Sequence, residues 1–314
     1  MKLFNSLEEI KNIKETVVAL GNFDGVHKGH QELIRRTVKS AKMAGLKSAV
    51  FTFRNHPKNV LSGKPVIKNI LYLEDKAAII KSLGVDYLFS LEFDEEIQHM
   101  SAEDFIQKLL LDAFKMREAY CGFNYHFGYQ AEGNPEILMK AGLREGFGIH
   151  VLEPFRIDGN LVSSTFIRNL IEEGKVGECM KYMGRNYSVG GEVVVGNRIG
   201  RTIGFPTSNI LIDETMVTPA HGVYVTYCCY NGVKYHGVTN VGIKPTIGDN
   251  KKNIETHIFH FNKDLYGKEI RIEFLEKIRS EIKFNNVDEL AEQIRKDCME
   301  AKLYHQQHDK DIIL

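Results

Sequence analysis

A chain that changes its hydrophobic rhythm once, part-way along, must build two different architectures, and this one changes near residue 185. Before that point short β-rich runs alternate with helical patterns. Residues 16–23 read as a strand, and residues 29–45 place Leu33, Ile34, Val38 and Ala41 on one helical face, with Gly45 as a stop. Strand 50–53, helix 73–84, strand 86–93, helix 101–114, strand 118–123, helix 134–146 and strand 148–155 follow in strict succession. Such succession implies a parallel sheet covered by helices on both faces.

From residue 187 to 278 the pattern is β only, punctuated by glycine and by the hairpin pair Asn231-Gly232. A closed or partly closed barrel is expected. Residues 287–304 then place Leu290, Ile294, Cys298 and Leu303 at roughly helical spacing, which predicts one amphipathic helix packed on that barrel. His305 and His308 fall in a polar tail and read as solvated. With no repeat or low-complexity linker, the chain divides into domains at 1–185 and 186–314, and its 314 residues, 43% hydrophobic, suffice for a core in each.

Charge narrows the partners. Lys+Arg and Asp+Glu are both 41, so the sequence-independent attraction that draws basic proteins to nucleic acid or membrane surfaces is missing, and small molecules become the expected ligands. The five cysteines form no C-x-x-C pair, which fits a reducing compartment. Acidic residues near the N-terminus and the lack of a long apolar run predict a soluble, cytoplasmic protein.

Two constellations carry chemistry. The first is Gly21-Asn22-Phe23-Asp24-Gly25-Val26-His27-Lys28-Gly29-His30, leaving the first strand and entering a helix. In a parallel α/β sheet that turn is where ligands bind, with helix N-terminal N–H groups able to hold phosphate oxygens. Glycines let the backbone approach a phosphate, and His27 and His30 can donate to charge building on a pentavalent phosphorus. Two exposed histidines in a glycine-rich loop, or a zinc pair, are the alternatives. Ser163-Ser164-Thr165-Phe166-Ile167-Arg168 opens a later helix and could be an N-cap alone. Phe53-Arg54-Asn55-His56-Pro57 and Gly122-Phe123-Asn124 also follow strands, so all these segments can converge on one crevice.

The second runs from Gly196 through Gly200, Arg201 and Gly204 to Phe205-Pro206-Thr207-Ser208-Asn209. A glycine-rich loop of this kind can cover a nucleotide. Thr207 and Asn209 alternate on an extended segment and offer oxygens suited to Mg²⁺, although a β-turn and a surface strand would read the same way. Further on stand Asn240 to Thr246, Glu255-Thr256-His257, and Ile278-Arg279-Ser280-Glu281. His257 and His260 are three apart on a strand and cannot share one ion.

With its G-x-F-D-G-x-H-x-G-H run and S-S-T-x-I-R segment, the first half resembles the HxGH nucleotidyltransferases. Together with P-T-x-N and E-T-H, the whole of residues 16–300 resembles the bacterial bifunctional riboflavin kinase/FAD synthetase family. That resemblance implies a Rossmann-like nucleotidyltransferase domain and a β-barrel riboflavin kinase domain. It further implies that His27 and His30 act on the ATP phosphates, that Asn22, Phe23, Gly25, Gly29, Ser164, Thr165 and Arg168 bind that ATP, and that Asn124, His56 and Pro57 meet FMN. In the second half it implies Gly200, Arg201 and Gly204 around a second ATP, Thr207 and Asn209 on Mg²⁺, Glu255 as the base for riboflavin, and Arg279 as a flavin contact. Its partners are then riboflavin, FMN, FAD and ATP. His126, Gln130 and His260 depart from the family pattern. An adenylyltransferase for another phosphorylated small molecule, or a flavin-binding regulator without turnover, would share part of these motifs.

Overall fold

The computed structural model describes residues 1–196, 200, 203–246 and 249–308, with side chains described at all of these except 243–246 and 249–252. They form two compact units, Met1–Phe166 and Ile167–Leu314.

The first unit is built on six parallel strands: β1 (Lys2–Phe4), β2 (Thr16–Leu20), β3 (Lys47–Phe53), β4 (Tyr87–Leu91), β5 (Met116–Gly122) and β6 (Gly148–Leu152). Their order is β1-β4-β3-β2-β5-β6, every pair parallel. The chain therefore winds outward from β2 through β3 and β4, then returns to the other side of β2 for β5 and β6. That reversal sets the crevice of an open α/β sheet at the end of β2. Being covered on both faces, β2 is buried at every residue, which is why Thr16-Val17-Val18-Ala19-Leu20 reads as an unbroken run. A short hairpin, β7 (Arg156–Ile157) and β8 (Asn160–Leu161), follows.

Helix Lys28–Ala44 buries Leu33, Ile34, Thr37, Val38 and Ala41, the expected stripe, and stops at Gly45 in the left-handed region at φ +70°. Two local features differ from expectation. β1 is an edge strand too short to show a period. The segment expected as one helix over 101–114 is a turn of α-helix, Ala102–Asp104, widening into a π-helix over Phe105–Ala113, with Phe114 N–H donating to Leu109 O at 2.9 Å. The wider turn brings Phe105, Leu109, Leu110 and Phe114 to the sheet together, where Phe114 stacks on Phe89 at 4.2 Å.

The second unit is a closed antiparallel barrel of β9 (Tyr187–Val194), β10 (Ser208–Leu211), β11 (Gly222–Tyr230), β12 (Val233–Thr246), β13 (Asp249–Ile258) and β14 (Glu269–Arg279), ordered β10-β13-β12-β11-β14-β9. Asn231 and Gly232, at φ +49° and +78°, make the expected β11–β12 turn. Buried Thr226, Thr239 and Thr256 join hydroxyls across three strands at 2.7 and 2.8 Å. Residues 167–183 pack with this barrel; Ala220 N–H, for instance, donates to Ile171 O.

Helix Val287–His308 lies on the barrel with Ile294 and Cys298 on its packed face as expected, but Leu303 is not part of that face. Ala291, Cys298, Ala301 and His305 are buried with Ile294 alongside, while Leu303 is 55% exposed. The spacing 291, 294, 298, 301, 305 follows the helical period, and two alanines let the helix approach closely. His305 is not solvated: it is 2% exposed and stacks on His236 at 4.1 Å between centroids. His308 is exposed. β13 ends at Ile258, so His260, at φ +55°, sits in the following turn.

Candidate active sites

The first site is the turn that leaves β2. Phe23, Gly25 and Val26 have φ of +48°, +78° and +34°. A β-branched valine in that region is strained, and such strain persists only where the surroundings over-determine it. Several contacts do so. The Asp24 carboxylate accepts the Ile70 N–H at 2.9 Å, and the Ser164 hydroxyl donates to the Asp24 carbonyl at 2.8 Å. The Thr52 hydroxyl donates to Asn22 O at 2.8 Å, and Gln31 Nε2 donates to Val26 O at 2.9 Å. Beneath the turn lies Lys76, only 8% exposed, whose ammonium donates to Asn22 O at 3.2 Å and to Thr52 Oγ1 and Phe53 O at 3.4 Å. Burial pushes this lysine below its ordinary pKa of 10.5, with the charge of Asp24 opposing.

The fixed turn sets the two histidines. His27 is the N-cap of helix Lys28–Ala44, its Nδ1 accepting the His30 N–H at 3.2 Å. An accepting Nδ1 places the proton of the neutral ring on Nε2. The two imidazoles stack with centroids 3.5 Å apart, and Phe23 meets His30 edge-on at 5.1 Å. A Cβ at residue 29 would lie 3.1 Å from Phe155 Cβ and 3.3 Å from the His27 ring, so glycine there is what admits the stack. Two N–H-bearing rings and a helix N-terminus thus meet at one place, an arrangement suited to phosphate oxygens.

Neighbouring strands bring in the other expected residues. Leu20 is in register with Phe51 of β3 and Cys121 of β5, so the loops carrying His56 and Asn124 start beside the β2 turn. Asn22, Asp24, Phe53, Arg54, Asn55, His56, Asn69 and Lys76 line one concavity. His56 caps helix Pro57–Ser62 by accepting the Lys58 N–H at 3.2 Å. In the serine-rich segment the roles split: Ser163 Oγ accepts the Phe166 N–H and is the cap, while Ser164 reaches the turn. Thr165 is exposed. Arg168, one helical turn beyond Ser164, falls in the second compact unit.

The second site lies on the barrel face opposite the threonine ladder. Asn209 of β10, Glu255 of β13 and Asn240 of β12 are directly opposed across three adjacent strands, so their side chains leave one face. Asn209 is buried, and a Cβ at Gly196 would lie 2.5 Å from its amide nitrogen, so the preceding loop runs hard against this side chain. Asn253 joins the group: its Nδ2 donates to Glu255 Oε1 at 2.7 Å and to Asn209 Oδ1 at 3.1 Å. Phe205 N–H donates to Gly200 O at 2.7 Å, and a Cβ on residue 200 would lie 2.3 Å from Phe205 O. His257 Nδ1 holds Pro206 O at 2.8 Å, and burial pushes this histidine below its ordinary 6.5 while the Pro206 contact opposes. Thr207 is thereby fixed between Pro206 and β10. Gly204 closes the turn at φ +87°. Arg201 lies outside the described residues.

Comparison with known proteins assigns each half of the chain to a family. Residues 9–166 match the family model for FAD synthetase and residues 183–305 that for riboflavin kinase. The chain is 37% identical over 294 residues to a bifunctional riboflavin kinase/FMN adenylyltransferase of Bacillus subtilis, with 92% of each chain covered. The chain belongs to the bifunctional riboflavin kinase/FMN adenylyltransferase family. The relative of that name from Haemophilus influenzae is 34% identical over 97% of this chain and 99% of its own. A solved structure described as a macrolide-efflux protein from Streptococcus pneumoniae shares the fold, with 32% identity, a TM-score of 0.87, and coverage of 96% of this chain and 98% of that one. Among the described residues no helix is long and apolar enough to cross a membrane.

Within this member of the family the structure adds residues that the motifs did not point to. Lys76 occupies the buried stripe of helix Leu73–Ser82 with Ile80, one turn on. A lysine at an apolar position was the available signal. Asn253 stands two residues before Glu255, and alternation puts both on one face. Arg279 has a protein partner: Nε and Nη2 donate to the Asp297 carboxylate at 2.8 and 2.7 Å, and Nη1 donates to Ser280 O at 3.0 Å.

Proposed function

We propose that the chain makes FAD from riboflavin in two steps: the barrel half transfers the γ-phosphoryl group of ATP to the riboflavin 5′-hydroxyl, and the sheet half transfers AMP from a second ATP to the FMN produced. The pair of sites on one chain carries this reading: a stacked His27 and His30 at a helix N-terminus, and Glu255 opposed to Asn209 on the barrel. We place the functional boundary between residues 185 and 186; the compact second unit starts earlier because residues 167–183 pack with the barrel.

In the first step Glu255 accepts the proton of the 5′-hydroxyl as that oxygen attacks the γ-phosphorus and ADP leaves. Gly200, Arg201 and Gly204 surround the nucleotide, and Arg279 meets the flavin with the N–H groups it does not give to Asp297 and Ser280. The oxygens of Thr207 and Asn209 are hard donors on a braced segment and fit Mg²⁺, which would be held there and neutralises phosphate charge when bound. In the second step a phosphate oxygen of FMN attacks the α-phosphorus of ATP and pyrophosphate leaves. His27, His30 and the backbone of Asn22, Phe23, Gly25 and Gly29 donate to the charge that builds there. Ser164, Thr165 and Arg168 take the departing phosphates, and Asn124, His56 and Pro57 contact FMN. The ligands are small molecules, with neither nucleic acid nor membrane required, and the cytoplasm supplies them.

Incubation of the purified chain with riboflavin, ATP and Mg²⁺, followed by separation of flavins, tests both steps. FMN and FAD are expected in that order. Absence of FMN would refute the kinase assignment, and FMN without FAD would refute the adenylyl step.

A further inference from the structure

We infer that Asn253 is a positioning residue of the phosphoryl-transfer site, using one amide group to set both the metal-side oxygen of Asn209 and the carboxylate of Glu255. The inference rests on the proposed roles of those two residues.

The geometry has three parts. Asn253 is 5% exposed, so its amide contacts are made away from bulk water. Its nitrogen carries two hydrogens and has two acceptors, Glu255 Oε1 at 2.7 Å and Asn209 Oδ1 at 3.1 Å. Turning the amide over would set its oxygen against two other oxygens, so the orientation is fixed by its neighbours. Its own Oδ1 meanwhile has no hydrogen-bond partner among the described residues. A buried acceptor left unsatisfied is costly, and the fold keeps it while both amide hydrogens are used.

The consequence follows from the acceptor atoms. By donating to Asn209 Oδ1, Asn253 selects the rotamer of Asn209 that turns its oxygen toward Asn253 and its nitrogen toward Gly196. By donating to Oε1, it restrains rotation of the Glu255 carboxylate. A metal-side donor and a base that must act on the same phosphoryl transfer are thereby registered to each other through a single side chain. The cross-strand opposition of Asn209 and Glu255 brings them near, and the amide fixes their relative rotation.

Asn253→Leu removes the donor while keeping the number and branching of heavy atoms, and Asn253→Gln keeps an amide on a side chain one methylene longer. For the leucine variant, kcat for FMN formation falls about 10–100-fold, the range for a lost hydrogen bond to a charged group, while the riboflavin KM stays within about twofold. Calorimetric titration with ADP, with and without Mg²⁺, gives a readout apart from turnover: the factor by which Mg²⁺ strengthens ADP binding shrinks in the leucine variant and recovers in the glutamine variant. FAD formation from supplied FMN stays at parent level and reports that the other unit is intact, and an unchanged urea midpoint of the barrel unit reports the same of the fold around Asn253. Unchanged kcat, or an unchanged Mg²⁺ factor, or a glutamine variant no better than leucine, each overturns the inference. Glu255→Gln and Asn209→Leu run in parallel separate the two levels. If either leaves FMN formation intact, the site assignment itself fails; if both abolish it while Asn253→Leu does not, only the role of Asn253 fails.

Discussion

The hydroxyl of Ser164 donates to the main-chain carbonyl of Asp24, 140 residues earlier in the chain, at 2.8 Å. It is a tether on the strained turn that carries His27, and it enters from a helix whose cap is a different residue, Ser163. Removing each serine should therefore separate two effects. Ser164→Ala is expected to lower FAD formation about tenfold, as expected for a lost hydrogen bond that holds reacting groups in place, and to leave riboflavin phosphorylation unchanged. Ser163→Ala is expected to cost about 1 kcal/mol of stability, the usual value for a lost cap, with the smaller effect on turnover. Steady-state rates of both half-reactions and a urea titration decide it; equal losses of FAD formation in the two variants would remove the distinction.

Lys76 makes a prediction about pH. Its pKa in the folded chain lies below the 10.5 of an exposed lysine, so between those two values the unfolded chain binds this proton and the folded chain does not. Stability must then rise with pH across that window and fall again as pH drops through the folded value, because burying the charge carries a penalty. Lys76→Met should flatten this part of the slope of unfolding midpoint against pH. It should also release Asn22 O and Phe53 O and lower FAD formation, with FMN formation kept. A slope identical to that of the parent chain would show that the lysine is not the group responsible.

How far these sites could be read beforehand depends on what carried the signal. The parallel sheet was legible because β2, buried on both faces, writes an unbroken apolar run, and the turn after it was legible because Gly25, His27, Gly29 and His30 are residue types that phosphate binding requires. Asn209 and Glu255 were legible only as separate motifs; their opposition across β10 and β13 is a fact of strand register, which no local pattern encodes. On the last helix Ile294 and Cys298 are legible as packed residues, but Leu303 outweighs Ala291 and Ala301 in the sequence, although close approach of a helix favours the small residues. The burial of His305 is not legible in the sequence, since its stacking partner His236 lies on β12 far away in the chain.

Gly200 tests the loop that precedes Asn209. A Cβ there would lie 2.3 Å from the carbonyl oxygen of Phe205, which is backbone and cannot swing aside, so the turn closed by the Phe205 N–H must open to admit it. Gly200→Ala should weaken ATP binding in the kinase reaction by about tenfold or more, comparable to the 1–3 kcal/mol cost of a distorted backbone. FMN adenylylation, which depends on the other unit, should not change. The ATP dependence of each half-reaction, measured on one preparation, gives the comparison; an unaltered KM for ATP in the kinase step would show that the turn plays no part in holding the nucleotide.

The pair formed by Arg279 and Asp297 links β14 to helix Val287–His308. The aspartate side chain is 4% exposed and the arginine 17%, and the contact is bidentate. Gln293 Nε2 adds a third donor to the same carboxylate at 2.9 Å. Removing one partner of a buried, hydrogen-bonded ion pair costs about 3–5 kcal/mol, most of it from the charge left behind. Asp297→Ala should thus lower the unfolding free energy of the barrel unit by about that amount, and Asp297→Asn by less, because an amide oxygen still accepts from the guanidinium. Since Arg279 is also proposed to reach the flavin, loss of its anchor should raise the riboflavin KM in Asp297→Asn more than it lowers kcat. Urea unfolding followed by flavin fluorescence, together with riboflavin saturation curves, distinguishes the two roles. A stability loss without any change in riboflavin KM would leave Arg279 as a strut between strand and helix, and would move the flavin contact elsewhere on the barrel.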